Sequence, residues 1–293
     1  MIFTDWIFPV FLGVVFGLYW FVLKGRELRL SVLLVASLVF YAWWDWRFLG
    51  LIGAVILLSW ATGLYAGDAR RSRTVRNRAV WIGVSANLAV LAVFKYFGFF
   101  ADSFVGVMTA VGLNPDMPTL SIILPVGISF YVFQAISYIV DVRREDLPVE
   151  QRLRRVALYV AFFPQLVAGP IVRAASFFPQ MEKEKRLTNA LFISGLRAFV
   201  LGWVYKAGLA DNIAPHVDAV YGDIAAYSGE ARIAATFAFA AQIYFDFAGY
   251  SLMAIGVARW FGYYIPKNFD FPYASTSISE FWRRWHISLS SWL

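Results

Sequence analysis

The chain has 293 residues, of which 60% are apolar and only 15% are charged. Soluble domains average about 25% charged residues, so an ordinary soluble globular protein is excluded, and the 19% aromatic content excludes a disordered one. Cysteine is absent, which excludes disulfides, thiolate nucleophiles and cysteine-ligated metals. Two histidines are too few for a histidine-rich metal site, and the net charge of +7 fits membrane topology better than nucleic-acid binding. We therefore expect no metal and no nucleic-acid partner.

Apolar runs long enough to cross a bilayer as helices, about 20 residues each, recur along the chain. They occupy 6–23, 30–44, 48–66, 79–100, 120–140, 190–210 and 233–257. Helices are the expected element because lipid offers no hydrogen-bond partners to an open backbone. The sequence predicts an all-α polytopic membrane protein with about seven transmembrane helices, in a single domain over 1–293 and without a removable signal peptide.

Basic residues concentrate in alternate connections between these runs. Seventeen Lys and Arg residues lie in the connections 24–29, 68–78, 141–155 and 173–186, whereas 45–47, 101–118 and 211–232 carry only Arg47 and Arg232. Positive connections mark the cytoplasmic side of a membrane. The N-terminus is therefore expected outside, and the last span is expected to end inside.

One apolar segment does not fit as a crossing. Residues 156–172 have basic connections on both sides, so the segment should enter and leave on the same face. Pro164, Gly169 and Pro170 interrupt a helix there. We interpret the segment as a re-entrant hairpin, with a kinked interfacial helix as the alternative.

A carboxylate lies near the middle of the last span. Asp246 follows Gln242 by about one helical turn, and a central charge in a bilayer costs about 2.5–3.5 kcal/mol on insertion scales. Two interpretations stay open: Asp246 lines a substrate path or accepts a proton, or it makes a structural hydrogen bond to a Ser, Tyr or Arg. Polar residues of the fifth span could be such partners, namely Ser129, Gln134 and Ser137.

The last residues, 280–293, read EFWRRWHISLSSWL and predict an interfacial amphipathic helix capped by Ser279. Helical periodicity places Trp282, His286, Leu289 and Leu293 on one stripe, with Arg283 and Arg284 on the other face. His286 is then either a buried, structurally bonded histidine or a general acid or base. His216, beside Pro215 in an outer connection, is expected to be structural or exposed.

This block resembles the signature of the membrane-bound O-acyltransferase family, in its bacterial alginate O-acetyltransferase branch. Similar segments of that branch are ILPVGISFYVFQAISYIVD at 123–141, FFPQLVAGP at 162–170 and YFDFAGYS at 244–251. The branch that transfers D-alanine to lipoteichoic acid is also similar, but the Arg283 and Arg284 pair favours the polysaccharide-acetylating branch.

The resemblance implies transfer of an acyl group, with acetyl expected, from a cytoplasmic thioester such as acetyl-CoA to a hydroxyl of an alginate-like polysaccharide or cell-wall glycan. It implies a bacterial inner-membrane location with a periplasmic N-terminus, periplasmic polysaccharide-acetylation proteins as partners, and no bound cofactor. His286 matches the earlier of two motif histidines. Glu280, Arg283, Arg284 and Trp285 are supporting residues, and the two arginines either attract an anionic donor or reflect the positive-inside bias alone.

The later motif histidine of the family does not occur before Leu293, so we expect the chain to be incomplete at its C-terminal side and unable to turn over alone. Two other classes stay open. One is a transporter or flippase that uses Asp246 and the broken helices as a path. The other is a catalytically incomplete scaffold subunit of a polysaccharide export complex. Formation of an ester product separates the first from an acyltransferase.

Overall fold

The computed structural model describes residues 1–112 and 124–293, and these residues form helices and connecting segments with no β-strand. The predicted all-helical class is confirmed for this part of the chain. Residues 120–123 of the fifth predicted span lie outside the described residues.

The described residues of the first half, 1–112 and 124–146, contain five long helices. They are α1 (Phe8–Gly17), which continues as a π-helical turn over Leu18–Val22, α2 (Arg26–Ala42), α3 (Phe48–Gly67), α4 (Arg73–Ala110) and α5 (Ile128–Arg144). Each coincides with one of the predicted apolar runs. The helix α4 continues through Ala110, so the connection predicted from residue 101 is wrong over its first ten residues.

The second half contains shorter pieces around two long helices. They are α6 (Leu153–Ala161), α7 (Phe163–Leu166), α8 (Ala174–Glu182), α9 (Asn189–Trp203) continuing as a π-helix over Val204–Ala210, α10 (Asp211–Gly222), α11 (Gly229–Trp260), α12 (Ile278–Arg284) and α13 (Ile287–Ser290). The predicted connections 173–186 and 211–232 therefore contain helices. In α8 the cause is an apolar face at helical spacing, where Ala174, Phe177, Phe178 and Met181 are buried.

Three helical stretches among the described residues are long and apolar enough to cross a membrane. They are Phe48–Gly67, Arg73–Ala110 and Asn189–Gly222, and Phe8–Val22 is a shorter apolar helix. The protein is therefore a helical membrane protein. The count of about seven crossings stays a prediction.

Ion pairs bring the four basic connections together at one end of the molecule, which we call the basic end. Glu27 pairs with Arg152, Arg154 and Arg155, and so joins the connection before α2 to the one before α6. The remaining links are Arg26 to Glu182 at 2.9 Å and Arg76 to Glu145 at 2.8 Å. The four connections in which the basic residues concentrate therefore lie together in the structure.

The segment 156–172 folds back on itself. The helix α6 ends at Ala161, the next residue Phe162 is fully buried, and α7 begins with Pro164 in its first turn. The Tyr159 hydroxyl donates a hydrogen bond to the Val172 carbonyl at 2.8 Å, so the first and last parts of the segment are in contact. The segment therefore reverses its direction, while the re-entrant hairpin and its depth in a bilayer stay predictions.

The helices α9 and α11 approach each other backbone to backbone. A Cβ added at Gly249 would lie 2.7 Å from the Gly202 carbonyl oxygen, and one added at Gly256 would lie 2.6 Å from the Gly195 carbonyl oxygen. The two glycine pairs fix an antiparallel register, in the way that small residues pack membrane helices closely.

Replacement of Gly249 by alanine tests this packing. The added methyl group cannot be accommodated without moving a backbone, so Gly249→Ala should destabilise the protein by about 1–3 kcal/mol. The matched control is Gly13→Ala, because that exposed helical position has no heavy atom within 4 Å of the added Cβ. Melting temperatures in detergent should fall only for Gly249→Ala, and equal values for both variants would contradict the close approach.

Candidate functional site

The motif at 280–293 is not one helix. It divides into α12 and α13, with His286 between them in the left-handed region at φ 45° and ψ 50°. The break arises because the preceding segment competes for the backbone: Asp270 N–H donates to the Arg284 carbonyl at 3.0 Å, and Ile287 N–H donates to the Asn268 carbonyl at 2.9 Å. The predicted continuous amphipathic helix is therefore wrong.

The predicted cap and the predicted stripe are also wrong. The cap is Ser277, whose Oγ accepts from the Glu280 N–H at 3.2 Å, rather than Ser279. Trp282 and Leu293 are 56% and 89% exposed, so they share no buried stripe with His286. Trp285 packs among aromatic rings instead, with centroid distances of 5.0 Å to Phe269, 5.4 Å to Phe281 and 6.1 Å to Tyr273.

The His286 imidazole lies between two phenylalanines on different helices. Its ring is edge-on to Phe247 of α11 at 4.7 Å between centroids, and Phe130 of α5 is 6.4 Å away. Its Nε2 is buried and makes no hydrogen bond within the described part of the chain. Burial lowers the pKa of His286 to about 4. The side chain is thus a neutral imidazole whose Nε2 has no hydrogen-bond partner among the described residues.

A buried hydrogen-bond network holds the backbone beside His286. Asn268 is 1% exposed; its Nδ2 donates to Ser251 Oγ at 2.9 Å, and its Oδ1 accepts from Ser288 Oγ at 2.5 Å. Ser288 Oγ in turn accepts from the Ile171 N–H at 2.9 Å. This network joins α11, α13 and the reversing segment. It makes Asn268, Ser251 and Ser288 positioning residues, none of which the sequence analysis identified.

Glu280, Arg283 and Arg284 differ in their surroundings. Glu280 accepts hydrogen bonds from the Thr276 N–H and hydroxyl, both at 2.9 Å, and pairs with Arg284 at 2.6 Å. The hydrogen bonds from Thr276, together with Arg284, lower the pKa of Glu280. The pair of Glu280 and Arg284 therefore stabilises α12 along its length, while Arg283 is exposed.

Asp246 is paired with a residue that the sequence analysis did not connect to it. Its carboxylate lies 2.5 Å from Lys206 Nζ, and the same ammonium lies 2.6 Å from Asp211. Lys206 sits in the π-helical end of α9, opposite Asp246 in the register that the glycines set. The predicted hydrogen bond from Asp246 to a Ser, Tyr or Arg is therefore wrong, because the partner is Lys206. The Asp246 side chain is 50% exposed, and Gln242 has a buried Oε1 with no partner among the residues described.

The two histidines have different environments. His216 is exposed on α10, in a stretch predicted as a connection, whereas His286 lies at the centre of the motif. Phe247, which packs against His286, is the residue that follows Asp246 on α11, so the ion pair and the imidazole contact neighbouring positions of the same helix.

The pKa of His286 gives a direct test. Because burial lowers this pKa from 6.5 to about 4, protonation favours the unfolded state and stability is lost as pH falls from about 6.5 towards 4. Nitrogen-15 NMR of histidine-labelled protein should show the His286 ring neutral at pH 5.5, with His216→Gln used to assign the signal. A protonated His286 at that pH would contradict the buried environment.

Comparison with known proteins agrees with the motif. Residues 152–293 match the model of the MBOAT, membrane-bound O-acyltransferase, family. The whole chain is 42% identical to the probable alginate O-acetylases AlgI of Pseudomonas putida and Azotobacter vinelandii, covering 60% and 58% of those proteins. Over 89% of its length it is 32% identical to the peptidoglycan O-acetyltransferase of Helicobacter pylori, covering 53% of that protein. The chain thus spans less than two thirds of these relatives, and it belongs to the membrane-bound O-acyltransferase family.

Proposed function

We propose that this protein is a membrane O-acyltransferase that modifies a polysaccharide hydroxyl, and that His286 lies at its acyl-transfer site. The observation that carries the proposal is the His286 imidazole, which is neutral, enclosed by Phe247 and Phe130, and has no partner at Nε2 among the described residues. In a histidine with only a structural role, the buried nitrogen would form a hydrogen bond with another protein group.

The chemistry needs two kinds of help. An acceptor hydroxyl loses its proton to a base as its oxygen attacks the thioester carbonyl carbon; the C–S bond then breaks and the thiolate leaves and takes up a proton. A neutral imidazole can take the hydroxyl proton, or donate an N–H hydrogen bond to the carbonyl oxygen. The family resemblance implies a second histidine as the main base, and we assign His286 to the donor side.

The donor that fits this scheme is acetyl-CoA or another acyl thioester reaching the site from the basic end. Arg283 is exposed beside the site and makes no hydrogen bond or ion pair within the described residues, so its charge is available to an anionic donor. Arg284 is already paired with Glu280 and supports the motif instead. The acceptor is an alginate-like polysaccharide or a cell-wall glycan, supported by the alginate and peptidoglycan enzymes among the relatives.

Asp246 is assigned a positioning role. Its pairing with Lys206 compensates a charge that would otherwise be costly at this depth, and ties α11 to the π-helical end of α9. A flippase that used Asp246 as a path residue would need that carboxylate for its substrate. The ion pair therefore favours the acyltransferase.

The same scheme places the protein in a bacterial inner membrane with about seven crossings, the basic end in the cytoplasm and the N-terminus in the periplasm. The shared location of the four basic connections supports this orientation. Acyl groups delivered from the cytoplasm would then reach periplasmic polysaccharide-acetylation proteins.

Replacement of His286 tests the proposed site. His286→Ala in the protein expressed from its own gene should lower polysaccharide acetyl-ester content by about 10²–10⁴-fold, the range for a lost acid–base group. His216→Ala is the matched control because His216 is exposed on α10. Ester content and CoA release should be normal in the control. Wild-type ester formation by folded His286→Ala would overturn the assignment.

Cysteine labelling tests the orientation, since the chain has no cysteine of its own. Ala69 and Glu184 are exposed in basic connections, and Ala225 is exposed in the turn between α10 and α11. A membrane-impermeant maleimide added to intact spheroplasts should label Ala225→Cys and leave Ala69→Cys and Glu184→Cys unlabelled until the membrane is opened. The reverse pattern would contradict the topology.

A further inference from the structure

A cavity lies at the basic end, away from the motif. It encloses about 310 Å³ between the turn that joins α1 to α2 and the connection that joins α8 to α9. Six cationic side chains line it, against the single carboxylate of Glu184: Lys24, Arg26, Arg29, Lys183, Lys185 and Arg186. Tyr19, Leu30, Met181 and Tyr263 form its inner wall.

The cavity is held in shape by hydrogen bonds between its two sides. Arg29 Nη1 donates to the Lys185 carbonyl at 3.2 Å, and Arg26 Nη1 donates to the Glu182 carbonyl at 3.0 Å. The Arg29 guanidinium also lies 5.4 Å from the Tyr19 ring centroid. The walls are therefore built into the fold and are not a chance approach of mobile side chains.

Most of these cations lack a counter-charge. Arg26 pairs with Glu182 and Glu27, but no carboxylate lies within 4 Å of Lys24, Arg29, Lys183, Lys185 or Arg186 in the described ranges 1–112 and 124–293. Lys185 is half-buried, with its Nζ 4.5 Å from the Tyr263 ring centroid. Burial and the nearby Lys183 lower the pKa of Lys185 to about 8. An anion bound in the cavity would stabilise the charged form of Lys185.

The surroundings of the cavity are apolar and exposed. Phe21, Val22 and Leu28, on either side of the α1–α2 turn, are 72%, 62% and 54% exposed. An apolar groove of about 510 Å³ between α1 and α2 reaches the same turn at Leu23 and Leu28. Basic pockets beside membrane helices at the cytoplasmic surface suit phosphate-bearing lipid headgroups, with acyl chains against the neighbouring apolar surface. Arginine and lysine together suit a phosphate, by paired N–H groups and by point charge.

We propose that this basic cavity binds the phosphate of an anionic phospholipid headgroup. Its volume lies at the lower end of ligand pockets, which suits a headgroup and excludes a folded polymer. The bound lipid would hold the α1–α2 turn against the α8–α9 connection. It would thereby also hold the N-terminal end of α9, the helix whose π-helical continuation carries Lys206. The proposal does not depend on the acyl-transfer reaction.

Native mass spectrometry tests the proposal in protein expressed from its own gene and purified in mild detergent. The wild-type protein should retain phosphatidylglycerol in preference to phosphatidylcholine. Lys183→Gln with Arg186→Gln removes two exposed cavity charges that make no hydrogen bond or ion pair within the described residues. Since each Lys or Arg near an anionic surface is worth about five-fold in affinity, retention should fall at least about ten-fold.

The matched control removes two exposed charges from the same end outside the cavity, Arg70→Gln with Arg73→Gln, and should retain the lipid. Melting temperatures without added lipid establish that both double variants are folded. Equal lipid retention by the cavity variant and the control would overturn the proposal. Binding of inorganic pyrophosphate that depends on the cavity, with no preference for phosphatidylglycerol, would also overturn it by assigning the site to a soluble phosphate compound.

Discussion

The hydrogen bonds of one buried amide determine where the motif histidine lies. Asn268 satisfies both ends of its amide, with Ser251 of α11 on one side and Ser288 of α13 on the other, and its backbone carbonyl accepts from Ile287. These bonds replace the helical hydrogen bonds that would run through 285–287. In a buried site an amide left without partners is costly, so the broken conformation at His286 is more favourable than a continuous helix. The strained backbone at His286 is therefore stabilised by its neighbours.

A second constraint operates where α9 meets α11. Glycines at 195, 202, 249 and 256 allow backbone contact, and that contact sets the register in which Lys206 reaches Asp246. The π-helical turn over Val204–Ala210 shifts the last part of α9 around its axis, a deviation often found at functional sites. The Asp246 carboxylate is thus paired with a cation, whereas the five cavity cations that have no counter-charge within the described residues lie together at the basic end.

Composition and charge pattern were sufficient to predict the helical membrane class, the positions of the long helices and the shared location of the basic connections. Each depends on a local or summed property of the chain. The break at His286 was not predictable, because residues 280–293 are compatible with an amphipathic helix until Asp270 and Asn268 compete for the backbone. Lys206 was missed for the same kind of reason: its partner is 40 positions away, and only the glycine register brings the two together. The signal that could have pointed to Asn268 and Ser288 was the presence of small polar residues within an otherwise apolar and aromatic block.

In the proposed acyl-transfer site, the buried Nε2 of His286 faces the reacting groups. A structure of the protein from its own gene with a non-hydrolysable acyl-CoA analogue, in which carbon replaces the thioester sulfur, tests it most directly. The acyl carbonyl should lie between Phe247 and Phe130 in that structure. His286 Nε2 should then be within about 3 Å of the carbonyl oxygen or of an acceptor oxygen. An acyl group bound elsewhere, with His286 Nε2 hydrogen-bonded to protein alone, would contradict it.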